Sequence, residues 1–232
     1  MKIIICGLNG KMGQAVYTAA ISAGHSVAAG IDGTEAAHGV PLFKDFSGAP
    51  EADVIIDFSR PSALNMLLGH AVKTKTPLVL ATTGYSEAET EAIQAAAKKT
   101  AVFFSRNMSL GISLLSALCE KAAKVLGAAF EVEIIEKHHN QKADAPSGTA
   151  LMLAEAVKSG RSDGLNIISG RAGSSCKRQP DELGIHSVRG GGIIGEHEVM
   201  FIAPDEIITL SHSAYSRAIF AKGAISAAEY LK

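Results

Sequence analysis

The chain opens on an uninterrupted apolar run, Ile3-Ile4-Ile5-Cys6, that Gly7 ends. A run without polar alternation predicts a strand buried on both faces, as in a parallel sheet. Over residues 11–23 the periodicity changes: Met12, Ala15, Val16, Ala19 and Ala20 recur at helical spacing, and Gly24 supplies the stop. Short apolar runs at 26–31, 53–58, 77–81 and 101–105 predict four further strands. A helix opening near Pro61 and an Ala-rich helix over 86–99 with Ser86 as its cap lie between them. Strands alternating with helices predict βαβ units and a parallel sheet.

The pattern shifts after Asn107. Residues 109–126 predict one long apolar helix, 131–136 a strand and 147–158 another helix. Residues 167–213 then read as strands and turns, with strands at 187–189, 198–202 and 207–211 and a glycine-rich excursion over 170–195. A final amphipathic helix is predicted over 216–231. The expected architecture is α/β: an N-terminal Rossmann-like parallel sheet, then an α+β unit on a mixed or antiparallel sheet, with a boundary near Asn107.

Composition narrows the class. With 22 Lys+Arg against 23 Asp+Glu in 232 residues, the net charge is −1. That balance offers no global attraction for nucleic acid or an anionic membrane, so neither is expected as a partner. No apolar run approaches the ~20 residues of a membrane span or reads as a signal-peptide core. Cys6, Cys119 and Cys176 are odd in number and without a CxxC pair, which fits a reducing cytoplasm.

The segment Gly7-Leu8-Asn9-Gly10-Lys11-Met12-Gly13 joins the first strand to the first helix. Its G-x-x-G-x-x-G spacing lets backbone amides approach a pyrophosphate at a helix N-terminus. Asp32 ends the second strand, where a carboxylate can accept hydrogen bonds from an adenosine ribose diol. The bland alternative is a tight strand–helix turn; position, following helix and acid together favour a dinucleotide. A phosphate-loop NTPase is excluded because Met12, not Ser or Thr, follows Lys11. Gly33-Thr34 offers no Arg for a 2′-phosphate and Lys11 is the one cation nearby in sequence, so NADH is expected to serve at least as well as NADPH.

The densest polar segment runs Glu136-Lys137-His138-His139-Asn140-Gln141-Lys142-Ala143-Asp144-Ala145-Pro146-Ser147-Gly148-Thr149. It reads as leaving a strand, crossing a loop and entering a helix at Ser147, Gly148 and Thr149, whose amides and hydroxyls form a ready anion site. Imidazoles that titrate near neutrality and a lysine beside that cradle suit proton transfer to a bound acid. The alternative, solvated loop histidines, accounts for the pair but not for the whole constellation. No HExxH or Cys pair supports a metal. His25, His38 and His70 read as surface or core residues, and His197 as a supporting residue.

At these residues the sequence resembles the dihydrodipicolinate reductase family. Residues 133–150 follow its hallmark E-x-x-E-x-H-H-x-x-K-x-D-x-P-S-G-T-A, and the likeness extends through Gly7 to Gly13, Asp57-Phe58-Ser59-Arg60-Pro61, Thr82-Thr83-Gly84, Asn107-Met108-Ser109, Ser187-Val188-Arg189, Gly195-Glu196-His197 and Ser216-Arg217. The chain departs from the pattern at Ala81, in a shorter stretch between Asp32 and Asp53, and at Arg106. The resemblance implies a dinucleotide-binding domain of residues 1–108 plus 214–232 and a substrate-binding and oligomerisation domain of residues 109–213. It implies reduction of a cyclic dicarboxylate, 4-hydroxy-tetrahydrodipicolinate, to tetrahydrodipicolinate by NADH or NADPH in lysine and diaminopimelate biosynthesis, by a homotetramer. It makes His138 and Lys142 catalytic, with His139, Lys142, Ser147, Gly148 and Thr149 on the substrate. Besides the glycine turn and Asp32, Ala81, Thr82, Thr83, Ser105, Arg106, Asn107 and Met108 would hold the coenzyme. A dinucleotide sensor or a sugar-acid dehydrogenase are the competing readings; neither needs two carboxylate cradles beside His138 and Lys142.

Overall fold

The structure is a computed structural model that describes residues 1–33 and 39–232. The elements in chain order are β1 (Lys2–Cys6), α1 (Lys11–Ser22), β2 (Ser26–Ile31), β3 (Leu42–Phe43), β4 (Val54–Asp57), α2 (Leu64–Thr74), β5 (Leu78–Leu80), α3 (Glu87–Ala97), β6 (Val102–Phe104), α4 (Leu110–Leu126), β7 (Glu131–His138), α5 (Gly148–Ser159), β8 (Asn166–Ser169), β9 (Glu182–Arg189), β10 (Gly195–Ile202), β11 (Ile207–Ala214) and α6 (Ala218–Leu231). The chain divides into one unit of Met1–Ser109 with Arg217–Lys232 and another of Leu110–Ser216. Thr34 and His38 lie outside the described residues.

The first unit holds a parallel sheet in the order β3-β2-β1-β4-β5-β6. Strand alternation explains the unbroken apolar runs. Ile3, Ile5 and Ile56 join the core layer of α1 and α6, whereas Ile4, Cys6 and Ile55 join that of α2 and α3. Both faces are covered, so both parities must be apolar. The pattern did not predict β3, because Leu42 and Phe43 are too few to show a period; they pair with Gly30 and Ile31. Pro61 opens a 3₁₀ turn ahead of α2, and Ser86 caps α3 through a reciprocal capping box with Glu89.

The second unit holds a mixed sheet in the order β11-β10-β7-β9-β8. The β7–β9 and β8–β9 pairs are parallel, and β10 runs antiparallel to β7 and β11. One face packs Val132, Ile134, Leu183, Ile185, Val199 and Phe201 against α4 and α5.

Two expectations need correction here. Strand β7 continues two residues beyond the predicted end and carries His138 within the ladder, paired with Arg189. The strand predicted at 187–189 is only the end of β9, which occupies Glu182–Arg189 and so reaches back into the glycine-rich excursion over 170–195. Gly184 disguises that strand: a Cβ there would lie 2.0 Å from Glu133 Oε2, so only glycine leaves room for this carboxylate on the sheet face away from the helices. There Glu133 is held by Arg171 at 2.9 Å, His186 at 2.7 Å and Arg178 at 3.2 Å. Burial works to raise its carboxyl, but these bonds outweigh burial and hold it below the ordinary range.

Candidate active site

In the first unit the glycine segment makes the turn from β1 to α1. Gly7 adopts φ +79°, and a Cβ on it would lie 2.7 Å from the Phe58 carbonyl oxygen. Gly10 donates its amide to the Gly7 carbonyl at 3.0 Å. It also caps α1 with no side-chain hydrogen bond and no acidic residue in the helix's first turn. The positive end of the helix dipole is therefore left unneutralised, as an anion site requires. A cavity of about 450 Å³ opens here, lined among others by Gly7, Asn9, Gly10, Asp32, Lys44 and Arg60. Asp32 accepts the Asn9 amide at 3.0 Å and the Gly33 amide at 2.7 Å, which fixes its carboxylate on the cavity wall. These residues fit a dinucleotide: amides for a pyrophosphate, a pinned carboxylate for a ribose.

Lys11 is not the one cation close to this site. Lys44, just past β3, and Arg60, after β4, line the same cavity as Asp32. The parallel sheet brings the C-terminal ends of β2, β3 and β4 together, a proximity that sequence spacing does not reveal. Not all the predicted coenzyme residues present side chains. Leu8 is fully buried against Gly30, Met108 is buried, and Met12 packs against the same core. Leu8 and Met108 therefore offer a ligand little beyond their backbone, whereas Met12 is half-buried.

The nicotinamide candidates cluster at the ends of β5 and β6. Thr82 is buried, and its Oγ1 donates to Asp57 Oδ2 at 2.7 Å. Asp57 is fully buried and also accepts from Ser59, through the hydroxyl at 2.5 Å and the amide at 3.1 Å. Burial pushes its carboxyl up, and the hydrogen bonds from Ser59 and Thr82 offset only part of that shift. Ala81 donates its amide to the Asp57 carbonyl at 3.0 Å. Thr83 and Arg106 are exposed. Ser105 Oγ donates to the Asn107 carbonyl at 2.6 Å, closing the turn after β6. Asp57 was not among the predicted site residues. Its signal is a carboxylate that ends an otherwise apolar buried strand.

In the second unit, alternation along β7 carries Glu136 and His138 onto the face that holds Val132 and Ile134. The same parity places His197 of β10 and Arg189 of β9 there, with His197 opposite Glu136 and Arg189 opposite His138. At this end of the sheet the apolar core gives way to a polar cluster. Glu136 is fully buried. Its carboxylate accepts from His138 Nδ1 at 2.5 Å, from Arg189 Nη1 and Nη2 at 2.8 and 2.7 Å, and from the Ser147 amide at 3.1 Å. Burial opposes its ionisation, but the bonds from His138 and Arg189 prevail and hold the carboxyl far below the ordinary carboxylate range. Because an ionised carboxylate only accepts, His138 carries its proton on Nδ1 and turns Nε2 toward Gly195. A Cβ on Gly195 would lie 3.1 Å from that Nε2.

Lys142 lies in the turn after β7, its ammonium 2.8 Å from Asp144 Oδ1. The turn is tied down by His139, whose amide donates to the Ile193 carbonyl at 2.7 Å, and by Gly190, whose amide donates to the His138 carbonyl at 2.9 Å. Ser147 already has partners within the chain. Its amide is taken by Glu136, and its hydroxyl, the N-cap of α5, accepts the Ala150 amide at 3.1 Å and lies 3.0 Å from His197 Nε2. Ser147 and Thr149 are both buried at the start of α5, with Gly148 between them half-buried. His197 is buried and its ring centroid lies 5.2 Å from that of His138. Burial above all depresses its imidazole to about 3, so it is neutral. Glu136 and Arg189 were not predicted as site residues. The parity of Glu136 with His138 emerges only because β7 runs on to His138, and Arg189 depends on sheet register.

A Rossmann-type nucleotide cavity in one unit, with a histidine–carboxylate pair and a lysine at a helix start in the other, defines a two-domain pyridine-nucleotide reductase. The family model described as dihydrodipicolinate reductase, N-terminus, matches residues 1–108, and that of the C-terminus matches residues 111–232. The chain belongs to the dihydrodipicolinate reductase family. It is 47% identical over 233 residues to the 4-hydroxy-tetrahydrodipicolinate reductase of Caldanaerobacter subterraneus subsp. tengcongensis, covering 100% of this chain and 92% of that protein. It is 43% identical over 235 residues to the enzyme of the same name from Clostridium tetani, again covering 100% and 92%. Among solved structures it is similar to dipicolinate-bound dihydrodipicolinate reductase from Paenisporosarcina sp. TG-14, with a TM-score of 0.77, 25% identity, and coverage of 100% of this chain and 94% of that one.

Proposed function

We propose that this chain catalyses the NAD(P)H-dependent reduction of 4-hydroxy-tetrahydrodipicolinate to tetrahydrodipicolinate in lysine and diaminopimelate biosynthesis. The observation that carries this reading is end-to-end similarity to relatives bearing that enzyme name, at 47% and 43% identity. The chemistry of the polar cluster agrees with it. The coenzyme, when bound, supplies a hydride to an electron-poor ring carbon. Gly7, Gly10 and Asp32 bind its pyrophosphate and ribose, and Thr82, Thr83 and the 105–108 turn hold its nicotinamide end. Lys142 attracts a substrate carboxylate and donates a proton; His138 Nε2 relays or replaces it. His139, Gly148 and Thr149 contact the carboxylates.

The test is oxidation of NADH and of NADPH on adding the condensation product of aspartate semialdehyde and pyruvate. His138→Ala and Lys142→Ala should each lower turnover by about 10²–10⁴-fold with coenzyme affinity little changed. Unchanged turnover in both variants, or no coenzyme oxidation by the native chain, would overturn the assignment.

The chain is proposed to act as a homotetramer in the cytoplasm. Leu110, Leu114, Leu118 and Val125 of α4 form an exposed apolar stripe, which suits burial against another copy. Cys6, Cys119 and Cys176 are free thiols, in keeping with a reducing compartment. Among the described residues no helix is long and apolar enough to cross a membrane. Light scattering at micromolar concentration should give four times the chain mass.

A further inference from the structure

Glu136 bonds to groups from several segments of the second unit at once. Its Oε2 takes His138 Nδ1 at 2.5 Å and Arg189 Nη1 at 2.8 Å, while Oε1 takes Arg189 Nη2 at 2.7 Å and the Ser147 amide at 3.1 Å. Arg189 Nη2 also donates to the Asp144 carbonyl at 2.8 Å. Asp144 is the partner of the Lys142 ammonium. One buried carboxylate thus joins the histidine, the start of α5 and, through Arg189, the turn that carries the lysine. We propose that Glu136 is the positioning residue of this site: it fixes the Nδ1–H tautomer of His138 and, through Arg189, sets the place of Lys142.

The chemistry follows from what each group can do. A neutral imidazole has one donor and one acceptor nitrogen, and either can carry the proton. Beside an ionised carboxylate Nδ1 must donate, so Nε2 is left to exchange a proton with a ligand. A negative charge at hydrogen-bond distance also favours the imidazolium that forms whenever Nε2 takes up a proton. The other polar groups around His138 do not replace this. Arg189 on β9 is cationic and opposes the imidazolium, His197 on β10 is neutral, and Lys142 is cationic and paired to Asp144. Among these groups Glu136 is the one carboxylate in hydrogen-bond contact with the His138 ring. Its own ionisation is secured by the bidentate Arg189, the strongest geometry a guanidinium offers a carboxylate.

This inference rests on the proposed role of His138 as a proton-transfer group, and the experiment separates the two. The Glu136→Gln variant keeps the shape and removes the charge. We expect its kcat to fall on the order of a hundredfold, with the dissociation constant of NADH, read by its fluorescence, within about twofold of the native value. The pH dependence of kcat should differ from that of the native chain, because the His138 ring has lost its anionic hydrogen-bond partner. In ¹⁵N spectra of labelled histidine, His138 should shift from a pure Nδ1–H tautomer to a mixture. If Glu136→Gln unfolds because Arg189 is left buried and unpaired, the double variant Glu136→Gln/Arg189→Gln removes both charges and is measured instead, with the same expectations. Native kcat and an unmoved pH profile in a folded variant overturn the inference. A lowered melting temperature with native kcat, profile and tautomer would make Glu136 merely structural and also overturns it. His138→Gln is the reference: if it keeps native kcat, the proton-transfer reading of His138 has failed and this inference falls with it. If it loses activity while Glu136→Gln does not, this inference alone has failed.

Discussion

The carbonyl oxygen of Gly7 lies 2.1 Å from the position that a Cβ on Gly13 would occupy. The obstacle is backbone on both sides, since the Leu8 Cα would be 2.6 Å away as well. No rotamer change relieves it. Gly13→Ala should therefore force the turn apart, costing about 1–3 kcal/mol of stability and most of the NADH affinity. Gly69→Ala is the control: it lies inside α2 with nothing within 4 Å of a built Cβ. It should stabilise the chain by about 0.5–1 kcal/mol. Thermal unfolding and NADH fluorescence titration check both.

Asp57 and Thr82 make a second prediction. A carboxyl raised by burial stabilises the fold most when protonated, at low pH, and that contribution is lost as pH rises through its folded value. Asp57→Asn should thus leave the melting temperature at pH 7 unchanged or higher. Yet the amide can donate to Thr82 Oγ1, which now donates to Asp57 at 2.7 Å. The Thr82 hydroxyl would then turn its hydrogen elsewhere. We expect a rise in the KM for NADH in a variant that is no less stable; a native KM would show that Thr82 orientation is irrelevant to the coenzyme.

His197 sets an acid-side dependence. Its imidazole is depressed from 6.5 to about 3, so the folded chain resists a proton that the unfolded chain accepts. Stability is fully present above 6.5 and falls as pH drops from there toward about 3, by at most about 1.4 kcal/mol per pH unit. His197→Gln removes this term. Urea unfolding at pH 7 and pH 5 should show a smaller difference for the variant than for the native chain. An identical difference would mean that His197 is not the titrating group.

Lys44 bears on coenzyme choice. It lines the cavity that holds Asp32, so the carboxylate's repulsion of a 2′-phosphate is countered by a cation. Lys44→Glu should lower kcat/KM for NADPH on the order of tenfold, with that for NADH nearly unchanged. Equal losses for both coenzymes would mean that Lys44 does not read the 2′ position.

Much of the fold was legible because burial on both faces leaves a local mark. Unbroken apolar runs identified β1, β2, β4, β5 and β6, and helical spacing located α3, with Ser86 as its cap, and α5. What escaped was either too short for a period, as with Leu42–Phe43, or masked by a glycine serving a distant partner, as with the first part of β9, where Gly184 lies beneath Glu133. The polar segment from Glu136 to Thr149 was visible as a cluster, but its inner order was not: Ser147 faces Glu136 and His197 rather than outward.

The sequence by itself determined the alternation of strand and helix, the glycine turn after β1, and the presence of His138, Lys142 and a helix start within one short stretch. These are local properties, fixed by periodicity and by which residues tolerate a tight turn. The tertiary structure decided that Arg189, some fifty residues away in the chain, closes on Glu136, that His197 stands opposite Glu136, and that Lys44 and Arg60 share a cavity with Asp32. Those relations depend on which strands become neighbours and in what register. Neither is encoded by local spacing, because each strand's partner is selected by burial of the whole sheet face.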